Sequence, residues 1–112
     1  MRKKNQSREN MGEYKSWIHP GGKLRELGPR ELELRELLAI IIGTGQKGRS
    51  AEQIADDLLK VHGSLENLSN VPLAKLLEIK GLGDVKITRI AAALELARRT
   101  TEEIMLRYEK KI

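Results

Sequence analysis

"LLEIKGLGDVKITRIAAALELARR", residues 76–99, sets two glycines one residue apart between two stretches of helical period. Glycine in a helix interior costs about 1 kcal/mol relative to alanine, so Gly81 and Gly83 either stop a helix or let the backbone come close to something. After them, Ile87, Ile90, Ala91, Leu94 and Ala97 recur at the three- and four-residue spacing of a buried helix face. No Gly or Pro follows, so this helix can run on through Ile104 and Tyr108, although Thr100 and Thr101 weaken it there. Before the glycines, Asn70 and Pro72 read as the start of a helix that turns Leu73, Leu76 and Leu77 inward and stops at Gly81.

The same theme occurs earlier. "LLAIIIGTG", residues 37–45, is again a helix end followed by Gly-x-Gly. The apolar set Leu34, Leu37, Leu38, Ile41 and Ile42 predicts a first helix ended by Gly43. Glu33 stands at the capping position of that helix. Ser50 to Gln53 forms a capping box, and Ala51, Ile54, Ala55, Leu58 and Leu59 carry a second helix up to Gly63. "SLENL", from Ser64, is long enough for one capped turn. The repeat of helix, Gly-x-Gly, basic residue and helix reads as an internal duplication. Ahead of it, Pro20, Gly21 and Gly22 with Trp17, Ile18 and Leu24 read as an extended lead-in that lays one aromatic on the domain, and residues 1–13 as a disordered basic tail.

Composition narrows the function. At 112 residues the chain is long enough for one domain with a helical core. It has no cysteine, which excludes disulfides and thiolate metal sites, and His19 and His62 lack ligand spacing. Neither a metal nor another cofactor is expected. No apolar run approaches the roughly 18 residues of a membrane span, and the basic N-terminus is not followed by an apolar signal core. A cytoplasmic protein is expected. With no Phe, one Trp and two Tyr, base stacking is a poor candidate for its main tool.

The net charge of +5 is unevenly placed. Residues 1–30 hold eight of the 21 basic and three of the 16 acidic residues, so the remainder of the chain is neutral overall. Local charge is more telling: Lys47 and Arg49 follow the first Gly-x-Gly, and Lys80, Lys86 and Arg89 surround the second.

"GTGQKGRS", residues 43–50, also matches Gly-x-Gly-x-x-Gly and a phosphate-binding loop with Arg49 in place of its lysine. Those motifs need a strand ahead of the loop, whereas helical period precedes Gly43, and arginine does not replace the compact lysine charge. A nucleotide-binding enzyme is therefore disfavoured. If the glycines were only helix stops, single glycines would suffice, as at Gly28 and Gly63. A Gly-x-Gly turn opening a helix presents backbone N–H groups at the positive end of the helix dipole, a place suited to phosphate. In the second loop the donors would be the amides of Gly81, Gly83 and Val85, with Lys80, Lys86 and Arg89 supplying charge.

Residues 76–99 resemble a helix-hairpin-helix motif, a hairpin that binds DNA without reading its sequence. The longer run from Leu24 through "ELLAI", "GTGQKGRS", "GSLENL" and "IKGLG" resembles the N-terminal domain of the RadC family, also designated UPF0758 and long described as DNA-repair proteins. The resemblance covers about residues 23–99. It implies an all-α, compact bundle of about five helices with two pseudo-symmetric hairpins in tandem, of the SAM/helix-hairpin-helix kind. Residues 1–22 would be tail and lead-in, and residues 100–112 a helical extension or linker. Carried over by position, Lys80, Gly81, Leu82, Gly83, Val85, Lys86 and Arg89 form the principal DNA-binding hairpin, with Leu82 packed inward. Thr44, Gly45, Lys47, Gly48 and Arg49 form the weaker one. Asp84 stands where proline is common, and Ile87 where a small residue is usual. Family members normally continue into a metal-dependent JAB/MPN-like domain, whose ligands have no counterpart here, so no enzymatic activity is expected. The expected partner is duplex or branched DNA, held by its backbone. The alternative is a protein-interaction or self-association module that uses residues 94–108.

Overall fold

The computed structural model describes residues 19–79 and 82–111, which form six α-helices. They are α1 (Pro20–Leu27), α2 (Leu34–Ile42), α3 (Ala51–His62), α4 (Leu65–Ser69), α5 (Leu73–Leu76) and α6 (Gly83–Lys111), with a 3-10 turn at Pro29–Glu31. Among the described residues there is no strand, only an isolated bridge between Gln46 and Arg49.

The expected extended lead-in at residues 20–22 is instead the first turn of α1. Pro20 sits at the first helical position, where its fixed φ suits the helix and its missing N–H goes unused. The Gly22 N–H donates to the His19 carbonyl at 3.1 Å. Lys23 then holds both carboxylate oxygens of Glu36 at 3.1 Å, which ties α1 to α2 and outweighs the poor helix propensity of two glycines. Trp17, Ile18 and the basic tail lie outside the described residues.

Helix α2 spans the residues expected of it, but its buried side is rotated. Leu38, Ala39 and Ile42 are buried, whereas Leu34, in the first turn, is exposed. The Glu33 N–H donates to Glu36 Oε1 at 2.8 Å, the return bond of a capping box, with Glu33 at the N-cap as expected. Helix α3 has the full capping box: the Gln53 N–H donates to Ser50 Oγ at 3.1 Å and the Ser50 N–H to Gln53 Oε1 at 2.8 Å. Ser64 caps α4 through the Asn67 N–H at 3.0 Å.

Helix α5 is shorter than its apolar residues suggest. Only Leu76 is buried; Leu73 and Leu77 are 54% and 46% exposed, which corrects the expectation that all three turn inward. A helix of four residues brings one side chain to the core, and Leu77 already lies in the turn that follows. Ile79, beyond that turn, packs against the core instead.

Helix α6 runs unbroken from Gly83 to Lys111, about 43 Å at 1.5 Å per residue. The threonines do not stop it: Thr100 and Thr101 donate their hydroxyls to the Leu96 and Ala97 carbonyls at 2.9 and 3.1 Å. Glu95 receives Arg98 and Arg99 at 2.7 and 2.9 Å, and Arg98 reaches Glu102 at 3.2 Å. These hydrogen bonds from the two arginines hold the Glu95 carboxyl down at about 2.

One core joins α2, α3 and the N-terminal half of α6. Ile42, Ile54, Leu68, Ile87 and Ile90 are its most enclosed large side chains, with Leu76 and Leu82 closing it from below α6. Among the described residues no helix is long and apolar enough to cross a membrane.

Candidate functional site

Two loops separate the paired helices: residues 43–50 between α2 and α3, and, between α5 and α6, a second of which residues 77–79 and 82 are described. In the first, each glycine answers a different demand. Gly43 has φ +83° and ends α2 by donating its N–H to the Ala39 carbonyl at 2.9 Å. A Cβ on Gly45 would lie 2.3 Å from the Arg49 carbonyl oxygen and under 3 Å from Ser50 C and Ala51 N, so the loop closes only around a bare Cα. Gly48, at φ +86°, is the third residue of a turn closed by Gln46 and Arg49, whose N–H groups donate to each other's carbonyls at 2.7 and 3.0 Å.

That turn carries Lys47 exposed at its tip. Arg49 is engaged elsewhere, in an ion pair with Asp57 of α3 at 2.6 Å. The apolar cavity beside the loop, about 500 Å³, is lined by Pro20, Ala39, Ile40 and Ala51 among others, and no Lys or Arg is found in its described lining. With a helix ahead of Gly43 and no cation in the cavity, the loop lacks what a nucleotide-phosphate cradle requires.

In the second loop Leu82 is 3% exposed and packs into the core, as expected of it. Gly83 opens α6 at φ +78°, with open space where a Cβ would stand. Lys80 and Gly81 lie outside the described residues. Asp84 and Val85 are exposed in the first turn of α6, where backbone N–H groups have no acceptor within the helix.

The structure brings the first loop against the start of α6. Lys86 Nζ donates to the Thr44 carbonyl and to Thr44 Oγ1, the latter at 3.2 Å, across 42 residues of sequence. One turn on, the Arg89 guanidinium stands 3.8 Å from the point a Cβ on Gly43 would occupy. Arg89 is exposed and makes no ion pair among the described residues. Thr44, Gly45, Lys86 and Arg89 therefore belong to one face, with the opening turn of α6 at its edge. The Arg49–Asp57 pair and the Lys86–Thr44 bond were not foreseen. The second has a sequence signal: Ile87 and Ile90 are both buried, so Lys86 and Arg89, each one residue before them, flank the buried stripe.

Elsewhere, burial pushes the Glu36 carboxyl up, but the Glu33 N–H and the Lys23 ammonium outweigh it and hold Glu36 below the usual carboxylate range. Among the described residues no three His, Asp or Glu side chains gather to hold a metal ion.

A small all-α domain in which two glycine-bearing helix–loop–helix units share a core is the class these features define. The chain belongs to the UPF0758 family: the family model for the UPF0758 N-terminal region matches residues 13–88. It is 46% identical over 80 residues to a UPF0758 protein of Stenotrophomonas maltophilia, covering 71% of this chain and 34% of that protein. It is 38% identical over 86 residues to one of Thermotoga maritima, covering 76% and 39%, and 43% identical over 93 residues to one of Geotalea uraniireducens, covering 79% and 41%. The chain thus spans between a third and about two-fifths of the length of these relatives. No solved structure matches it.

Proposed function

We propose that this chain binds duplex or branched DNA through the phosphate backbone, as a tandem helix-hairpin-helix domain without catalytic activity of its own, in bacterial DNA repair or recombination. The observation that carries this reading is the meeting of the first glycine loop with the first two turns of α6, where Lys86 reaches Thr44 and Arg89 stands beside Gly43. Arg89 offers an exposed guanidinium one turn into α6, and a phosphate accepts charge-assisted hydrogen bonds from such a group as it does from amides at a helix start. Contacts of this kind position a protein on a duplex without reading bases. Affinity is then weak, with Kd on the order of 10⁻⁴ to 10⁻⁶ M at physiological salt, and it falls as salt rises. The site is cytoplasmic on this reading, since chromosomal DNA is its ligand.

The test is an NMR titration of the labelled chain with a short duplex, at low and at roughly physiological salt. Salt-sensitive amide shifts clustered on residues 43–48 and 82–89 support the reading. Shifts confined to residues 1–15 refute it for the folded domain.

One feature favours a second reading, a protein-interaction module. Beyond the bundle, α6 exposes Leu96, Ile104, Met105, Leu106 and Tyr108. Sedimentation decides whether these exposed side chains pair the chain with a second copy: a monomer at every concentration removes self-association.

A further inference from the structure

The structure separates the two basic residues near the start of α6, Lys86 and Arg89. Val85 is 65% exposed and Arg89 is exposed, whereas Lys86 between them is half-buried. Its ammonium is spent on the first loop, on the Thr44 carbonyl and hydroxyl. Among the described residues no backbone N–H donates to that carbonyl, so Lys86 is its donor from the protein. The bond also falls between two fixed points of the loop, the positive-φ stop at Gly43 and the close backbone approach at Gly45.

We infer that Lys86 is a positioning residue: it pins the first glycine loop to the opening turn of α6, and Arg89, one turn on, is the cation that meets phosphate. The chemistry suits each role. A lysine ammonium is a compact donor that can cap a carbonyl at the end of a four-carbon stem, whereas a planar guanidinium matches the paired oxygens of a phosphate. Lys86 then acts on DNA affinity through the placement of residues 43–48 rather than by neutralising a phosphate itself. This inference extends the DNA-binding reading, but its first test needs no DNA.

The experiment compares the full chain with Lys86→Met, which removes the ammonium and keeps an apolar stem, and Lys86→Arg, which keeps a donor. In the DNA-free proteins, Lys86→Met is expected to shift the amide resonances of residues 43–47 and to speed their hydrogen exchange, with Lys86→Arg returning both toward the parent. Changes confined to residues 82–90 would overturn the inference. With a duplex, a lysine on a phosphate contributes about 0.9 to the slope of log K against log salt. Arg89→Met is expected to lower that slope by about this amount and Lys86→Met to leave it unchanged while weakening binding. The reverse assignment would overturn the inference. If the parent chain binds no duplex, the DNA reading fails by itself, and the DNA-free resonances still decide the role of Lys86.

Discussion

Gly45→Ala tests whether the first loop is built around a missing Cβ. The added carbon falls 2.3 Å from Arg49 O, 2.7 Å from Ser50 C and 2.8 Å from Ala51 N, all backbone atoms that no rotamer change can clear. Relief requires moving residues 49–51, which carry two bonds of the Gln46–Arg49 turn and the capping box of α3. Overpacking of this kind costs about 1–3 kcal/mol, and a damaged N-cap about 1 kcal/mol more. Against this, alanine narrows the unfolded ensemble and returns roughly 0.4–1 kcal/mol. The net is a loss of about 2 kcal/mol, which lowers the melting temperature of a domain this size by roughly 8–16 °C. Urea unfolding followed by circular dichroism measures it directly. A Gly45→Ala protein within about 0.5 kcal/mol of the parent, the spread of ordinary surface changes, would refute the close-approach argument.

Gly21→Ala is the matched control: nothing lies within 4 Å of its Cβ position and it sits inside α1, so a gain of roughly 0.5–1 kcal/mol is expected in the same assay. Ile54→Ala, at a nearly fully buried site, is expected to cost about 2–5 kcal/mol, while Leu73→Ala, on the exposed side of α5, changes stability by no more than about 0.5 kcal/mol; equal losses would contradict the burial of α5 given above. Ser50→Ala removes the acceptor of the Gln53 N–H and is expected to cost about 1 kcal/mol, read by thermal unfolding. The Glu36 carboxyl is held below its ordinary value in the folded state, so its contribution is full above pH about 4.5 and is lost as pH falls through the lowered value. Glu36→Gln is therefore expected to be less stable than the parent at pH 7 and to lose less stability on acidification; parallel pH curves would refute this.

How much of this was legible in the sequence depends on whether a feature is local. Helices α2 and α3 begin and end where their capping residues and glycines put them, because a cap is settled by neighbours three or four residues away. The start of α1 was missed because Gly21 and Gly22 read as extended chain, whereas Pro20 and the Lys23–Glu36 pair, the latter a contact across 13 residues, decide for helix. Leu73 and Leu77 were read inward because a 3.6-residue period assumes a helix long enough to have a face, and α5 stops after four residues. The length of α6 was only half legible. Its threonines argue for a break by propensity, but ion pairs at three- and four-residue spacing and the threonine back-bonds to the preceding turn accompany a continuous helix.

The candidate site shows the same division. The repeated Gly-x-Gly suggests two pseudo-symmetric hairpins, yet the second glycines do different work: Gly45 is required because a Cβ has nowhere to go, and Gly83 because the backbone takes φ +78° with open space around it. Equal spelling thus conceals unequal physics, and only distances between residues far apart in sequence reveal it. The same holds for the cations. By composition Arg49, Lys86 and Arg89 are three basic residues near glycines. In the fold Arg49 is paired with Asp57 and Lys86 is occupied by Thr44, which leaves Arg89 without an ion-pair partner among the described residues. On the DNA-binding reading a phosphate approaching this face meets the Arg89 guanidinium, while Lys86 is spent on holding the first loop against α6. Affinity on this reading comes from the fixed relation of the loops rather than from the number of lysines and arginines, and net charge alone is a poor guide to it.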